Sequence, residues 1–267
     1  MNKLDRIGLQ LFTVHSEMER NFEGVLEKVA AIGYQEVEFA GYFEHSPKDI
    51  RQTLDHYGLA APSVHVDYQS IQSKWPQAVE AAQIIGNKYI VNVIIDPNLL
   101  GDPDIWKRAA DTFNRAGEFS KKAGIQFAYH NHYFEFFPSS GKLPYDILLE
   151  ACDPEFVKME MDFCWIASVG QDPLKYFQQY PGRFPLVHVK QLKKLPVRTA
   201  GDEVGRILYD RTLPDITEVG DGVIDWRRAF SQSMQAGIQH FFVEHDSPQS
   251  PFDSIRTSYE YLEKLRF

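Results

Sequence analysis

The side chains best suited to chemistry are concentrated in one stretch near the middle of the sequence, Phe127–Phe136. It reads Phe-Ala-Tyr-His-Asn-His-Tyr-Phe-Glu-Phe and holds two histidines, an asparagine and a carboxylate among aromatic residues. The stretch follows Gly124, which is typical of a helix end, so we expect a strand over Ile125–His130. Side chains alternate along a strand, so His130 and His132 should share one face. Two imidazoles on one face at a strand end favour catalytic or metal chemistry, with a hydrogen-bonded polar layer as the alternative.

Imidazoles and carboxylates also end other predicted strands. Asp162 closes Lys-Met-Glu-Met-Asp, His188 lies in Val-His-Val-Lys, and Glu244 lies in Val-Glu-His-Asp. His65 comes at the end of an earlier strand, Pro-Ser-Val-His-Val. Taken singly, each of these residues is better explained as a satisfied polar group. Together they define a site only if the fold brings the strand ends to one place.

The elements that must position these residues alternate between strand and helix along the whole chain. Apolar runs bounded by turn signals predict eight strands, at Ile7–Thr13, Glu36–Ala40, Pro62–Val66, Tyr89–Ile95, Ile125–His130, Phe156–Asp162, Pro185–Val189 and Gln239–Glu244. With a helix after each strand, 267 residues predict one α/β domain over residues 1–267, a single (β/α)8 TIM barrel. A doubly wound open sheet is the alternative. That fold requires a glycine-rich phosphate loop after the first strand, and Leu11–His15 contains no glycine.

In such a barrel the carboxyl ends of the strands meet at one face, where active sites lie. His130, Asp162, His188 and Glu244 would then lie at one level on four neighbouring strands, which is the arrangement of a metal site. Mixed nitrogen and oxygen ligands suit one divalent ion, with Mn²⁺ preferred and Zn²⁺, Co²⁺, Fe²⁺ or Mg²⁺ as alternatives. A network of hydrogen-bonded charges without metal is the competing interpretation.

Composition and charge narrow the class of protein. The hydrophobic fraction of 43% and the charged fraction of 24% are typical of a globular protein. The formal net charge of −9 argues against a nucleic-acid partner, which needs clustered Lys and Arg. Cys152 and Cys164 give no disulfide framework, and the first residues lack the apolar run of a signal peptide. No apolar run approaches membrane-spanning length, so we expect a cytoplasmic protein without a membrane partner.

Six stretches carry a family resemblance: Gly8–Val14, Tyr129–Phe136, Met161–Trp165, Gly182–Lys190, Glu218–Trp226 and Val243–Asp246. The chain resembles the sugar isomerases and epimerases of the xylose isomerase-like TIM-barrel superfamily over nearly its whole length. The resemblance implies one divalent metal held by a glutamate, an aspartate, a histidine and a glutamate on the fifth to eighth strands. Asp162, His188 and Glu244 match the last three, whereas His130 stands where many relatives have glutamate.

The resemblance also implies a reaction in which two ligand glutamates move a proton on and off the carbon next to a carbonyl. Because His130 replaces one glutamate, Glu135 becomes the nearby candidate carboxylate, unless it is a surface-loop residue. We predict four catalytic residues, Glu244, His132, Lys190 and Glu135. His132 would carry protons, and Lys190 would hold a substrate oxygen or an enediolate unless it is merely solvated.

Two further residues are predicted to bind the substrate. His65 would contact it and is a second candidate proton carrier. Trp165 would form an apolar wall against the sugar ring, or else would pack under the following loop. The remaining histidines are assigned to the surface or to packing, namely His15, His45, His56, His240 and His245.

The leading hypothesis is a metal-dependent sugar isomerase or epimerase that removes a proton next to the carbonyl of a keto-sugar or polyol derivative. A lyase or dehydratase acting by β-elimination on a keto-glycoside or keto-inositol is the alternative, because it begins with the same proton removal. A non-catalytic sugar-binding subunit is a third, weaker hypothesis. The endonuclease branch of the superfamily is disfavoured, since it uses more histidines and a basic face. The expected partner is a small sugar, and a homo-oligomer is left open.

The segment 192–222 is a long connection that looks irregular, with Pro196, Gly201, Gly205, Pro214, Gly220 and Gly222. It follows the strand that carries His188 and Lys190, so it must start at the catalytic rim. We predict that it forms a movable cover, whose closure would exclude water from a reactive intermediate. A structural insertion that serves an oligomer interface is the alternative.

Overall fold

Eight parallel strands close into a barrel in the computed structural model, which describes residues 2–95, 104–139, 141–202 and 207–267. The strands are Gly8–Gln10, Glu36–Ala40, Ala60–Val66, Tyr89–Asn92, Gln126–His130, Val157–Asp162, Leu186–Val189 and His240–Val243. Each strand pairs with its neighbours in sequence, and the eighth closes the barrel on the first through Leu9 and Val243. The predicted TIM barrel is therefore confirmed.

A principal helix follows each barrel strand and covers its outer face. These helices are Phe22–Ile32, Pro47–Tyr57, Trp75–Ile85, Ile105–Lys121, Pro144–Ala151, Pro173–Gln179, Trp226–Ala236 and Pro251–Lys264. Proline occupies the first or second helical position in five of them, where its missing amide hydrogen is not needed. In the described part of the chain, no helix is long and apolar enough to cross a membrane.

Short helices at the strand ends were not predicted from the sequence. The first strand stops at Gln10, because the Gln10 side chain accepts a hydrogen bond from the Phe12 amide at 3.0 Å and begins a 3₁₀ turn. The helices Tyr68–Ser73 and Phe163–Ser168 begin in the same way, at the capping carboxylates of Asp67 and Asp162. These caps end the strands and direct the chain around the barrel mouth.

The interior of the barrel has an apolar layer and, toward the carboxyl ends of the strands, a buried polar layer. Its apolar part consists of five side chains, Tyr89, Val91, Ala128, Leu186 and Phe242. Toward the carboxyl ends the interior is filled by polar side chains with no solvent exposure, namely Gln10, Glu38, Ser63, Glu160, Asp162 and His188. Buried ionisable groups need partners, so this layer must be a connected network.

The segment after the seventh strand is more ordered than the sequence suggested. Gln191–Leu192 pairs antiparallel with Ile216–Thr217, and a helix, Ile207–Thr212, lies between them. Gly222 approaches the hairpin so closely that a Cβ there would lie 2.1 Å from the Leu192 carbonyl oxygen. The two ends of the segment are therefore fixed to each other, and the segment contains a helix and a strand pair where an irregular connection was expected.

Candidate active site

A cavity of about 650 Å³ opens at the carboxyl ends of the strands. Its lining includes six ionisable residues at or beside the strand ends, His65, His130, His132, Lys190, Glu244 and Asp246, and three others, His15, Asp67 and Lys74. Apolar and aromatic residues line the rest, including Phe12, Tyr42, Val66, Ala78, Val93 and Tyr209. A cavity of this size with a few convergent polar groups is the usual form of a small-molecule site.

The strand register places the predicted residues side by side. His130 is paired with Glu160, and Asp162 is paired with His188 across the next strand boundary. Asn131 fixes the fifth strand to the sixth, since its Oδ1 accepts a hydrogen bond from the Asp162 amide at 3.1 Å. The strand ends therefore form one rigid platform.

The outer group of the site consists of Asp162, His188, Lys190 and Glu244, with Asp246 beside them. His188 Nδ1 lies 2.8 Å from Glu244 Oε2. Lys190 Nζ lies 3.0 Å from Asp162 Oδ2, 2.6 Å from Glu244 Oε2 and 2.7 Å from Asp246 Oδ1. Asp162 and His188 have no solvent exposure, so Lys190 and Glu244 are the members that reach the cavity surface.

The inner group lies deeper in the barrel and consists of Glu38, His65, His130, Glu160 and His188. Glu160 Oε2 lies 2.8 Å from His65 Nε2 and 3.2 Å from both His130 Nδ1 and His188 Nε2. Glu38 Oε2 lies 2.7 Å from His188 Nε2 and 3.1 Å from His65 Nε2. Neither Glu38 nor Glu160 was predicted as a site residue.

The charges of the histidines differ because their neighbours differ. Burial lowers the pKa of His188, but the carboxylates of Glu160 and Glu244 outweigh it and hold the pKa well above its usual value. Burial likewise opposes charge on His65, yet its carboxylate neighbours raise its pKa to about 9. Burial and the positive charge of His188 lower the pKa of His130 well below its usual value, so His130 is neutral at pH 7. Neutral imidazole is the form that binds metals.

The groups at the cavity surface are also perturbed. Burial opposes charge on Lys190, but the carboxylates around it raise its pKa well above the usual value. Burial opposes ionisation of Glu244, but Lys190 and His188 hold its pKa below the usual range. Burial raises the pKa of Asp246 to about 6, with Lys190 opposing it. Burial and the charge of Lys190 lower the pKa of His132 to about 3. Of the two carboxylates beside Lys190 at the cavity surface, Asp246 is therefore the one whose pKa lies nearer neutrality.

Four predicted site residues do not line the cavity: Asp162 and His188 are buried in the network beside it, and Glu135 and Trp165 lie elsewhere. Glu135 is fully buried behind the fifth strand, where Oε1 accepts from the Tyr129 hydroxyl at 2.6 Å and Oε2 accepts from the His132 amide at 2.9 Å. Trp165 is 1% exposed and stacks on Tyr209, with ring centroids 5.2 Å apart. Tyr209 lines the cavity. The structure thus places Glu135 in the core rather than in a surface loop and Trp165 under the loop rather than at the cavity wall.

The other histidines lie outside this network, with one correction. His15 lines the cavity and packs against Phe12 and Phe43, so the assignment to surface or packing was incomplete for that residue. His240 lies at the opposite end of the barrel, with Nδ1 2.8 Å from Glu36 Oε2. Charged residues inside parallel strands, such as Glu36 and Glu38, were the sequence signal that could have revealed both ends of the polar interior.

The residues present fit a divalent ion. Ligand atoms of Asp162, His188 and Glu244 lie within 4.8 Å of one another, and so do those of a second set, His65, His130, Glu160 and His188. In the described part of the chain, Asp162 Oδ2 and Glu160 Oε1 are buried oxygens that receive no directed hydrogen bond. His130, which was predicted together with Asp162, His188 and Glu244, belongs to the second set, and its Nε2 lies 3.9 Å from Asp162 Oδ2.

A parallel eight-stranded barrel with ionisable residues at its carboxyl end is the architecture of the TIM-barrel enzymes. The chain belongs to the xylose isomerase-like TIM barrel family, whose model matches residues 26–265. The resemblance seen in the sequence is thereby confirmed.

Individual relatives share the fold at low sequence identity. The chain is 22% identical to an inosose dehydratase of Lacticaseibacillus casei, over 92% of this chain and 90% of that protein. A solved sugar phosphate isomerase/epimerase from Parabacteroides distasonis ATCC 8503 is 24% identical with a TM-score of 0.81, covering 97% of this chain and 98% of that chain. The solved IOLI protein with a bound zinc atom is 15% identical with a TM-score of 0.73, covering 96% and 95%. These relatives include both a dehydratase and an isomerase/epimerase.

Proposed function

We propose that this protein is a divalent-metal-dependent enzyme that removes a proton from the carbon next to the carbonyl of a keto-sugar or keto-polyol. The observation that carries the proposal is the outer group, in which ligand atoms of Asp162, His188 and Glu244 lie within 4.8 Å of one another beside a cavity. Neighbouring strand ends supply these ligands together with His130, and Mn²⁺ is the preferred ion.

The metal would be held by His130, Asp162, His188 and Glu244. When bound, it supplies a Lewis acid that polarises the carbonyl and makes the neighbouring proton easier to remove. The nitrogen and oxygen donors of this set are compatible with Zn²⁺, Co²⁺, Fe²⁺ or Mg²⁺ as well.

Lys190 would bind the substrate oxygen on which negative charge develops. Its ammonium is held by three carboxylates, stays protonated, and reaches the cavity surface. A cation fixed before the reaction stabilises developing charge without reorganising. A divalent ion held by Asp162 and Glu244 would supply a second positive charge at this site.

Proton transfer is assigned to the remaining cavity residues. Glu244 is the predicted base, and Asp246 joins it because its pKa of about 6 suits a base at neutral pH. His132 presents a neutral imidazole, and its buried Nδ1 has no hydrogen-bond partner in the described part of the chain. A role for Glu135 in this chemistry would require it to leave its bonds to Tyr129 and the His132 amide.

Isomerisation or epimerisation is the leading outcome, and β-elimination is a second candidate that the relatives favour. A dehydratase removes water, and the inosose dehydratase of Lacticaseibacillus casei aligns over 92% of this chain. The site is compatible with it, since His65 lines the cavity and its raised pKa of about 9 keeps it protonated. A protonated imidazole can donate to a departing hydroxyl.

Replacing one ligand tests the metal site. We expect Asp162→Asn to lose stoichiometric metal and activity while keeping its fold, because asparagine retains the Oδ1 that caps the helix at the Trp165 amide. Mass spectrometry measures the metal content of the variant, and circular dichroism checks its fold. Asp172→Asn is the matched control, since Asp172 also caps a helix, at the Leu174 amide. Full metal occupancy in the Asp162 variant would refute the assignment.

The reaction type is tested with a panel of keto-sugars and keto-inositols in D₂O with Mn²⁺. Isomerisation or epimerisation would incorporate deuterium next to the carbonyl and return a saturated product. Elimination would release water and give an unsaturated ketone that absorbs in the ultraviolet. A sugar that binds with metal but exchanges no proton would instead support the non-catalytic sugar-binding subunit.

A further inference from the structure

The two imidazoles at the centre of the site each face carboxylates on both sides. His130 presents Nδ1 to Glu160 Oε2 at 3.2 Å and Nε2 to Asp162 Oδ2 at 3.9 Å. His188 presents Nε2 to the same Glu160 oxygen at 3.2 Å and Nδ1 to Glu244 Oε2 at 2.8 Å. The rings therefore separate the inner carboxylates from the outer ones.

We propose that Glu160 is a positioning residue that fixes which ring nitrogen of His130 and His188 faces the metal site. The inference rests on the proposed metal at the outer group. Glu160 is fully buried, and its Oε2 is contacted by a third imidazole as well, His65 Nε2 at 2.8 Å. One oxygen thus meets three inward-facing ring nitrogens.

The physical reason lies in the proton of the imidazole ring. A neutral imidazole has one N–H donor and one lone pair, and a carboxylate accepts only from the N–H side. A proton held on His130 Nδ1 by Glu160 leaves the Nε2 lone pair directed toward Asp162. Carboxylates that hold ligating histidines in this way typically contribute 10- to 100-fold to metal affinity.

His188 is oriented by the same carboxylate and by a second acceptor, although its charged ring donates from both nitrogens rather than from one. Its Nε2 lies 2.7 Å from Glu38 Oε2 as well as 3.2 Å from Glu160 Oε2, so its inward nitrogen is a donor in either contact. The outward nitrogen, Nδ1, then faces Glu244. Glu38 is itself fixed by the side chains of Gln10 and Ser63, so the inner layer is rigid.

The test uses two variants that remove the same charge. Glu160→Gln keeps a carbonyl oxygen that can accept from His130 Nδ1, whereas Glu160→Met keeps no acceptor. We expect Mn²⁺ to bind Glu160→Met 10- to 100-fold more weakly than wild type in titration calorimetry, and Glu160→Gln to keep most of the affinity. An equal loss of Mn²⁺ affinity in both variants would show an effect of charge alone and would overturn the inference. Wild-type affinity in Glu160→Met would overturn it as well.

Glu36→Met is the matched control. Glu36 is also a buried carboxylate that contacts an imidazole, His240 Nδ1 at 2.8 Å, but it lies at the other end of the barrel. The Glu36→Met variant should bind Mn²⁺ with the same affinity as wild type.

A measurement without metal keeps the inference testable if Glu160→Met does not fold. Long-range ¹H–¹⁵N spectra of the ring-labelled, metal-free wild type should show His130 protonated on Nδ1 and not on Nε2. The reverse tautomer would overturn the inference. A wild type that binds none of the divalent metals overturns the proposed function instead, and the tautomer of His130 still shows whether Glu160 sets the ring.

Discussion

Glu135 shows how far the environment of a single residue can change its expected role. The sequence made it a candidate catalytic carboxylate or a surface residue, but its oxygens are bonded to the Tyr129 hydroxyl and the His132 amide in the core. Burial raises its pKa to about 8, although the hydrogen bonds act in the opposite direction. It is therefore mostly protonated at neutral pH in the folded protein.

The raised pKa of Glu135 predicts a loss of stability as the pH rises. In the unfolded chain this carboxyl ionises near pH 4.5, while in the folded protein it keeps its proton to about pH 8. The free energy of unfolding should fall between these values, by something of the order of 3 kcal/mol from this group. Urea unfolding at pH 5 and pH 8 measures the fall.

Glu135→Gln isolates that contribution, because glutamine resembles the protonated acid. The fall from pH 5 to pH 8 should be smaller in this variant than in wild type. The exposed Glu118→Gln serves as the control and should fall as wild type does. An unchanged pH dependence in Glu135→Gln would mean that Glu135 is ionised in the folded state.

At the scale of elements, the segment 192–222 forms part of the cavity wall. Its helix Ile207–Thr212 carries Tyr209, which lines the cavity and stacks on Trp165. The guanidinium of Arg198 lies over Phe137, 4.9 Å from the ring centroid, so the segment also contacts the loop after the fifth strand. A segment with these contacts and two fixed ends suits the predicted cover.

Hydrogen exchange decides between the cover and the oligomer interface. We expect amides of Ile207–Thr212 to exchange quickly in the free protein and to be protected by a bound sugar. Leu192 and Val223, whose amides belong to the fixed base, are the internal reference and should change little. An interface segment would behave differently, with protection in the free protein that depends on protein concentration.

At the scale of the whole molecule, metal binding should stabilise the barrel. A ligand that binds only the folded state at 100 times its Kd adds about 2.7 kcal/mol to the free energy of unfolding. For a chain of this size, that corresponds to a rise in Tm of roughly 5–10 °C. Thermal unfolding with Mn²⁺ and with a chelator measures it. The rise should vanish in Asp162→Asn, and an equal rise there would place the stabilising ion elsewhere.

The sequence by itself determined the barrel and the place of the site. Regular alternation of apolar strands and amphipathic helices leaves few other folds, and parallel strands bring all carboxyl ends to one face. Asp162, His188 and Glu244 could be predicted as candidate ligands for that reason, since each is at or next to the end of its strand. The short helices at the strand ends were missed because single side-chain caps, such as that of Gln10, decide them.

Only the tertiary structure decided which ionisable groups contact one another. Glu38 contacts His188 from 150 residues away across the barrel interior, and no local pattern encodes such a pair. The burial of Glu135 and the three carboxylates around Lys190 also depend on packing between distant strands. Residue type and strand position can be read locally, but the direction of each polar atom and the cost of its burial are fixed only when the barrel closes.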